Sequence, residues 1–359
     1  MKHSAAIILL SVAPFVFAQA QADGIKTVQN NNPASSQLIS SSIDPIPIKR
    51  IPPRYPLAMA RAGGEGWVQV SFVIGKDGSV IDPIVEDSSG TRGFETAALR
   101  AIKKWQYSPA MVAGEAIEQC QNKVQLDFKL DNEQRGVRRK FRSAYIKAKE
   151  AMDADEKLMA NEYMAKLRDD KQFNRMESVW FWKLEADFAK VNKDPKAELS
   201  NIIRAINTDT DGHLLGANHY LTMLHLRFAL EVQFAKYADA LDTFEIIKTQ
   251  DKSENMVERL QPYATQVAQL LDGVEPIVVA GRIGEKGNWW HTLSRSAFTF
   301  NNVQGQVDRL ELRCHNKREI YTFSDDSTWA IPETWGRCSV MVVGDKNVDF
   351  NLLELSPQV

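Results

Sequence analysis

The stretch from residue 51 to residue 130 constrains the fold most, because its pattern of apolar and turn residues defines a complete small domain. Between residues 68 and 74 the apolar side chains fall on every second position. This alternation predicts a half-buried strand with one face packed and the other face in water. Residues 76–79 have the chemistry of a turn, and residues 80–85 return as the second arm of a hairpin.

A helix and a last strand complete this pattern. Between Phe94 and Trp105 the apolar residues recur at helical spacing and form one stripe. The closing stretch places alternate apolar residues on one face, and these are Cys120, Val124, Leu126, Phe128 and Leu130. The sequence therefore predicts a β-β-α-β domain in which one helix packs on a small sheet.

The order of several landmarks in this stretch is typical of a known family. The landmarks are Tyr55-Pro56, Gly66-Trp67-Val68, Gly78, the helix that ends at Trp105, Tyr107 with Ser108-Pro109, and Gly114. In this order they resemble the C-terminal domain of TonB, a periplasmic protein that contacts outer-membrane receptors. The resemblance covers roughly 80 residues of the chain. It implies a partner among TonB-dependent receptors of the outer membrane or other envelope proteins, and leaves open a role with the inner-membrane motor complex.

The resemblance also implies a mode of binding. An extended peptide adds as a new strand to the edge at residues 123–130, where main-chain hydrogen bonds give affinity. Val124, Leu126 and Phe128 are then expected to contact the partner. The segment Arg54-Tyr55-Pro56 matches the opening motif of the family and is expected beside the peptide. The alternative is a rigid entry turn in which Tyr55 packs on the helix.

The N-terminus predicts export. A short positive start precedes an apolar run from Ala5 to Phe17, and Ala18-Gln19-Ala20 offers a cleavage pattern of small residues. We expect a signal peptide at 1–22 and a periplasmic protein, with an uncleaved inner-membrane anchor as the alternative. Residues 23–48 are polar and predict a flexible linker before a domain at 49–132. The net charge of −2 gives no reason to expect nucleic acid.

Residues 137–272 predict a run of helices, because long helical periods occur there with few glycines and prolines. The candidate helices are 138–153, 155–168, 176–190, 195–207, 214–233, 237–249 and 253–271. Pairs of short helices that repeat at about 40 residues indicate a solenoid of the tetratricopeptide type. A plain helical bundle explains the same pattern.

Residues 276–359 change to a β pattern and predict a small antiparallel sandwich or barrel. The candidate strands are 277–280, 297–300, 307–314, 320–323 and 338–343, with a hairpin turn at the glycines before Asn288. By parity Cys314 and Cys338 both face inward, so in an oxidising compartment we expect a disulfide between them. Closing this loop stabilises the fold by roughly 3.5 kcal/mol on the chain-entropy account. Cys120 is then a buried and inert thiol.

No pattern in the chain indicates catalysis, a cofactor or a metal. His213, His219 and His225 lie six residues apart, so neighbours point in different directions on a helix. A basic cluster at Arg135, Arg138, Arg139, Lys140 and Arg142 indicates contact with anionic lipid or an acidic partner, or else a solvated linker.

The sequence therefore predicts an α+β multidomain protein with a β-β-α-β TonB-like domain, a solenoid-like helical domain and a small β domain. Its expected function is non-enzymatic binding in TonB-dependent outer-membrane transport, with no small-molecule substrate evident. The alternative is an envelope scaffold that recruits proteins through its helical repeats. Direct energy transduction is not expected, because the chain has no proline-rich spacer and continues long after the TonB-like domain.

Overall fold

The computed structural model of the chain describes residues 42–130, 136–170, 172–252, 254–325 and 327–356. The predicted signal peptide, most of the predicted linker and Arg135 lie outside these residues. The described residues form one compact unit, so the TonB-like, helical and β-rich parts share interfaces. None of the helices in the described ranges combines the length and apolar character that crossing a membrane requires.

The first part has the predicted order of two strands, a helix and a strand. Its elements are β1 (Ser42–Ile43), β2 (Pro47–Lys49), α1 (Leu57–Ala62), β3 (Gly66–Ile74), β4 (Val80–Ser88), α2 (Arg92–Ile102), β5 (Gln106–Tyr107), β6 (Ala110–Val112), β7 (Glu115–Ile117) and β8 (Gln119–Phe128). The main sheet is antiparallel with the order β4-β3-β8. Strands β1 and β2 fall in the predicted linker but pair with β6 and β5, so the folded region begins earlier than the composition indicates.

The hairpin turn between β3 and β4 has the predicted chemistry. The Asp77 carboxylate accepts hydrogen bonds from the backbone N–H and the hydroxyl of Ser79, at 2.9 and 2.7 Å. Gly78 has a φ of 77°, and a Cβ atom there would lie 1.9 Å from the carbonyl oxygen of Tyr107. Only glycine fits this position, because it tolerates positive φ and has no side chain to clash.

The second part consists of helices close to the predicted ones. They are α3 (Arg139–Asp153), α4 (Lys157–Asp169), α5 (Arg175–Val191), α6 (Pro195–Thr208), α7 (Ala217–Gln233), α8 (Tyr237–Gln250) and α9 (Asn255–Asp272). Helix α5 begins with a capping box in which the side chains of Asn174 and Glu177 satisfy each other's backbone N–H groups. Consecutive helices pack against each other from α5 to α9. The choice between a repeat solenoid and a bundle stays a prediction.

The third part has more strands than predicted. They are β9 (Ile277–Arg282), β10 (Asn288–Thr292), β11 (Ala297–Gln304), β12 (Val307–Cys314), β13 (Arg318–Thr322), β14 (Thr328–Ala330), β15 (Cys338–Gly344) and β16 (Asp349–Leu355). Two antiparallel sheets, β10-β15-β12-β13 and β14-β11-β16-β9, enclose one core. The described strands therefore make a sandwich of two open sheets rather than a closed barrel. Cys314 lies opposite Cys338 in the β12–β15 register, and a disulfide joins them.

Candidate peptide-binding edge

Strand β8 forms one edge of the first sheet. Among the described residues it pairs only with β3, and Val124 lies opposite Val70 while Leu126 lies opposite Val68. Val124 and Leu126 therefore share the side of the sheet that packs on α2, where both are partly buried, and Phe128 is fully buried in the same core. The outer backbone groups of β8 have no strand partner in the described part of the chain, so the edge predicted at 123–130 has the form that strand addition requires.

The beginning of β8 departs from the predicted parity. The pairing of β3 with β8 shifts register between Phe72 and Ile74, and Cys120 lies at this irregularity. Cys120 lines a cavity with Ser71 instead of joining the core under α2 with Val124. The prediction that Cys120 shares a face with Val124 is wrong, because a bulge resets the alternation of side chains. The thiol is nevertheless buried, and this burial raises its pKa to about 12.

Tyr55 of the opening motif packs inside the domain. Its ring meets Phe94 and Phe128 edge-on, with ring centroids 5.7 and 5.8 Å apart. Its hydroxyl donates a hydrogen bond of 2.7 Å to the carbonyl oxygen of Gly64. Burial raises the pKa of Tyr55 to about 12. Tyr55 therefore supports the end of β8 through Phe128 and has the packing role that the sequence left as the alternative.

Arg54 and Pro56 lie at a different surface. Both line a groove of about 810 Å³ whose other wall is helix α2, with Thr96 and Arg100 across from them. The lining of this groove contains no residue of β8. The structure thus separates the six predicted contact residues into a set on β8 and a set that lines the groove beside α2. Tyr55 belongs to the groove lining and also contacts Phe128 of β8.

Arg50 is a residue of this surface that the sequence did not indicate. Its guanidinium carbon lies 5.3 Å from the ring centroids of both Trp105 and Tyr107. Its Nε donates to the Tyr107 hydroxyl at 3.1 Å. These contacts hold the segment before the opening motif against the end of α2.

The face of the sheet away from α2, which we call the far face, is covered by the helical part. The indole N–H of Trp67 donates a hydrogen bond of 2.8 Å to the hydroxyl of Thr208 at the end of α6. The Gln125 side chain donates to the carbonyl oxygen of Asn207 at 2.8 Å. Arg204 donates to the Asp87 carboxylate at 3.0 Å. Burial raises the pKa of Asp87, although the nearby Arg204 charge acts in the opposite direction.

The sandwich covers the rest of the far face. Arg318 forms an ion pair with Asp82 at 2.5 Å, and Lys286 donates to the carbonyl oxygen of Val85 at 3.3 Å. Val73 points away from the α2 core and is fully buried. The expectation that the second face of β3 meets water is therefore wrong. Trp67 and Val73, two apolar residues on the face assigned to water, were the signal in the sequence.

The exit from β8 is fixed by a partly buried junction. One carboxylate oxygen of Glu65 accepts from the backbone N–H of Leu130 at 2.8 Å, and the other accepts from that of Arg175 at 2.9 Å. Glu65 itself donates its backbone N–H to the carbonyl oxygen of Phe173 at 2.9 Å. A single carboxylate thus ties the end of the edge strand to the start of α5.

The predicted basic cluster is partly used inside the protein. Arg138 forms ion pairs with Glu177 at 2.8 Å and with Asp170 at 3.3 Å. Arg139, Lys140 and Arg142 are exposed, whereas Arg135 lies outside the described residues. Within the described ranges no group of histidine, cysteine and acidic side chains could hold a metal ion.

Comparisons with known proteins find relatives for the first part of the chain. Residues 51–130 match the family described as the C-terminal part of the Gram-negative bacterial TonB protein. This part of the chain is therefore similar to the C-terminal domain of TonB proteins. Two similar proteins are TonB of Xanthomonas campestris, 35% identical over 21% of this chain and 34% of its own length, and tonB2 of Pseudomonas aeruginosa, 35% identical over 22% and 29%.

One solved structure has a similar sequence in this part of the chain. The solution NMR structure of the Pseudomonas aeruginosa TonB CTD is 33% identical, covers 25% of this chain and 91% of that chain, and has a TM-score of 0.23. This chain spans about a third of the length of the TonB relatives it matches. The helical part and the sandwich lie outside the residues that match the family.

Proposed function

We propose that this protein is a periplasmic, non-enzymatic binding protein that acts in TonB-dependent outer-membrane transport. Its TonB C-terminal domain recognises an extended peptide segment of an outer-membrane receptor or another envelope protein. The observation that carries the proposal is the β8 edge, which has no strand partner among the described residues and belongs to a domain of this family. The chain is proposed to reach the periplasm by a signal peptide at residues 1–22.

The proposed contact is strand addition along residues 123–130. The peptide's main chain bonds to the outer N–H and C=O groups of β8, while alternate side chains of the peptide fall above and below the sheet. Lys123 and Asp127 are exposed along the strand and offer charges of both signs to the partner. Val124, Leu126 and Phe128 form the apolar side. Tyr55 supports Phe128 from within the domain, and we propose that Arg54 and Pro56 contact the partner at the separate groove beside α2.

The other parts of the chain have a supporting role in this proposal. Side chains of the helical part and of the sandwich bury the far face, whereas the β8 edge has no strand partner among the described residues. The burial of the far face also favours the second candidate, an envelope scaffold. In that candidate the TonB C-terminal domain is a docking module within a larger binding surface. The two candidates differ in their partners.

Amide hydrogen exchange on the intact chain tests the binding mode. In an antiparallel edge strand alternate backbone N–H groups point away from the sheet, so about half of the β8 amides exchange quickly in the free protein. We expect a bound peptide, taken from a tiled set of periplasm-facing receptor segments, to slow the exchange of this outward set. A matched peptide with methylated amides at alternate positions keeps its side chains and should lose binding. Protection elsewhere, with no change in β8, would contradict strand addition.

Capture of partners from envelope fractions separates the two candidates. TonB-dependent receptors should be enriched on the intact chain and should be displaced by the best peptide of the tiled set. Capture of envelope proteins without these receptors, and without competition by any such peptide, would favour the scaffold. N-terminal sequencing of the mature protein tests the proposed cleavage of the leader.

A further inference from the structure

A cavity at the junction of the three parts is lined by two residues whose buried polar side-chain atoms have no hydrogen-bond partner among the described residues. It has a volume of about 210 Å³ and lies between the far face, helix α8 and the sheet that carries β12 and β15. Ser71 and Lys123 line it from the TonB side, and Trp290 and Arg313 from the sandwich side. A wider cleft of about 460 Å³ also has Lys123 and Trp290 in its wall, and the Lys123 side chain is half exposed. Solvent therefore reaches the cavity through this cleft.

Arg313 is the central residue of this cavity. It is only 3% exposed, and its Nε donates a hydrogen bond of 2.6 Å to the Glu311 carboxylate. Its guanidinium carbon lies 5.2 Å from the ring centroid of Trp290, which fixes the plane of the group. Both terminal nitrogens are buried and have no hydrogen-bond partner among the described residues. A guanidinium stays charged at any ordinary pH, so these are two permanently cationic, unused donors.

Ser71 adds a third unused group. Its hydroxyl is buried and has no hydrogen-bond partner among the described residues, although it lines the same cavity as Arg313. Buried polar groups in folded proteins are almost always satisfied by protein, water or a ligand. Two independent side chains on opposite walls of one cavity therefore have buried polar groups without a partner among the described residues.

The ion pairs around Arg313 leave its own positive charge incompletely matched. Three acids also line the cavity, and each has another cationic partner: Glu86 pairs with Lys123 at 2.5 Å, Asp242 with Arg337 at 2.8 Å, and Asp239 with Lys236 at 4.0 Å. Glu311 is shared, because Arg318 also donates to it at 2.9 Å. Arg313 thus has only part of one carboxylate as its counter-charge. The two terminal nitrogens of a guanidinium match the two oxygens of a carboxylate in one plane, which favours a carboxylate over a water molecule as the missing partner.

We propose that this cavity binds a small organic carboxylate. Its two oxygens accept hydrogen bonds from the terminal nitrogens of Arg313, the Ser71 hydroxyl donates to one of them, and Trp290 holds the guanidinium in place. The cavity admits a compound of a few carbon atoms, and the adjoining cleft accommodates its remainder. This inference does not depend on the proposed peptide edge, because Arg313 and Ser71 lie on β12 and β3 rather than on β8.

Carbon-13 NMR of labelled acetate, succinate and L-glutamate with the intact chain tests the proposal. We expect saturable binding of at least one of these probes, seen as concentration-dependent shifts of its carboxyl signal. Arg313→Gln should weaken binding at least about tenfold, the usual size for losing charge-assisted hydrogen bonds. Arg309→Gln is the matched control, because Arg309 lies on the same strand but is exposed and should leave binding unchanged.

A second variant covers the case in which Arg313→Gln does not fold. Ser71→Ala removes only a hydroxyl, so the chain should keep its circular dichroism spectrum while binding weakens about two- to tenfold. The proposal is overturned if no probe binds, if Arg313→Gln and Ser71→Ala both bind like the wild type, or if inorganic phosphate binds more tightly than every carboxylate. If no probe binds, water alone occupies the cavity. If phosphate binds more tightly, the cavity is a site for another anion.

Discussion

The two faces of the TonB-type sheet are both buried, but by different means. On one face Val68, Val70 and Phe72 pack against α2 in an entirely apolar core. On the far face Trp67 and Ser71 lie against the helical part and the sandwich, where hydrogen bonds and ion pairs are frequent. Polar residues at every second position of β3 therefore identify a face that tolerates polar groups. They do not identify a face that meets water.

The difference has consequences for energetics. Burial of apolar surface stabilises the α2 face by roughly 25 cal/mol for each Å² removed from water and requires no exact orientation. The hydrogen bonds of the far face contribute only about 1 kcal/mol each on balance, but they need correct geometry. We therefore expect the α2 face to supply most of the stability of the domain, and the far face to fix how the three parts fit together.

The largest effect should come from the disulfide that braces the wall opposite the far face. Cys314 and Cys338 are 24 residues apart, and removing their cross-link by double substitution to alanine should lower the free energy of unfolding by about 3.5 kcal/mol. Urea unfolding with and without reductant measures this effect. Reductant should lower the stability of the wild type and leave the double variant unchanged. Cys120→Ala, which removes a thiol but no cross-link, is the control. Equal stability of the wild type in both conditions would contradict the prediction.

A matched pair of truncations on one strand tests the comparison directly. Val70 faces α2, Val73 lies on the far face, and both are fully buried. Val70→Ala and Val73→Ala should each lower the free energy of unfolding by about 2 kcal/mol, because each removes two buried carbon atoms. Urea unfolding of the intact chain, followed by circular dichroism, measures both. A Val73→Ala variant as stable as the wild type would show that the far face is solvated.

How much of this could be predicted from the sequence follows from the range of each interaction. Local periodicity placed β3, α2 and the later helices correctly, because the spacing of apolar residues that defines each element lies within the element itself. Strand β16 was missed because Glu354 occupies a core position, where it accepts hydrogen bonds from backbone N–H groups of Ser294 and Arg295. That arrangement depends on residues 60 positions away, which no local pattern records.

In the candidate site, too, local features could be predicted from the sequence and long-range contacts could not. The edge character of β8 followed from the resemblance and from the parity of Val124, Leu126 and Phe128. The packing of Tyr55 against Phe94 and Phe128 could be named only as an alternative, because aromatic contacts depend on how α2 lies on the sheet. The cover of the far face could not be predicted at all, since its partners come from residues more than a hundred positions later.

A smaller effect should come from the hydrogen bond between Trp67 and Thr208. Trp67→Phe keeps most of the ring and Thr208→Val keeps the shape of the side chain, so each mainly removes one partner. In a double-mutant cycle the two substitutions should show a coupling of about 1 kcal/mol in the free energy of unfolding. Phe72→Leu combined with Thr208→Val is the control, because Phe72 lies on the α2 face and should not couple to Thr208. Additive effects in both cycles would mean that α6 does not hold the far face in solution.

The smallest effect concerns the pH dependence of the same face. Burial raises the pKa of Asp87 despite the Arg204 guanidinium 3.0 Å away. The folded state therefore holds this proton more tightly than the unfolded chain. The stabilising contribution of Asp87 is fully present below the unfolded pKa near 4 and is lost as pH rises through the higher folded pKa. The stability difference between the wild type and Asp87→Asn should fall with rising pH and then level off.

Asp77 is the control for this measurement, because its pKa is shifted in the opposite direction to that of Asp87. It lies in the exposed turn, where hydrogen bonds from Ser79 lower its pKa. Its contribution is present above the unfolded pKa and is lost as pH falls through the lower folded pKa. Urea unfolding between pH 3 and pH 8 measures the difference in the free energy of unfolding between the wild type and each variant. Plotted against pH, this difference should have slopes of opposite sign for Asp87→Asn and Asp77→Asn. Slopes of the same sign would mean that the Arg204 ion pair outweighs burial at Asp87, and that water reaches the far face as it reaches the turn.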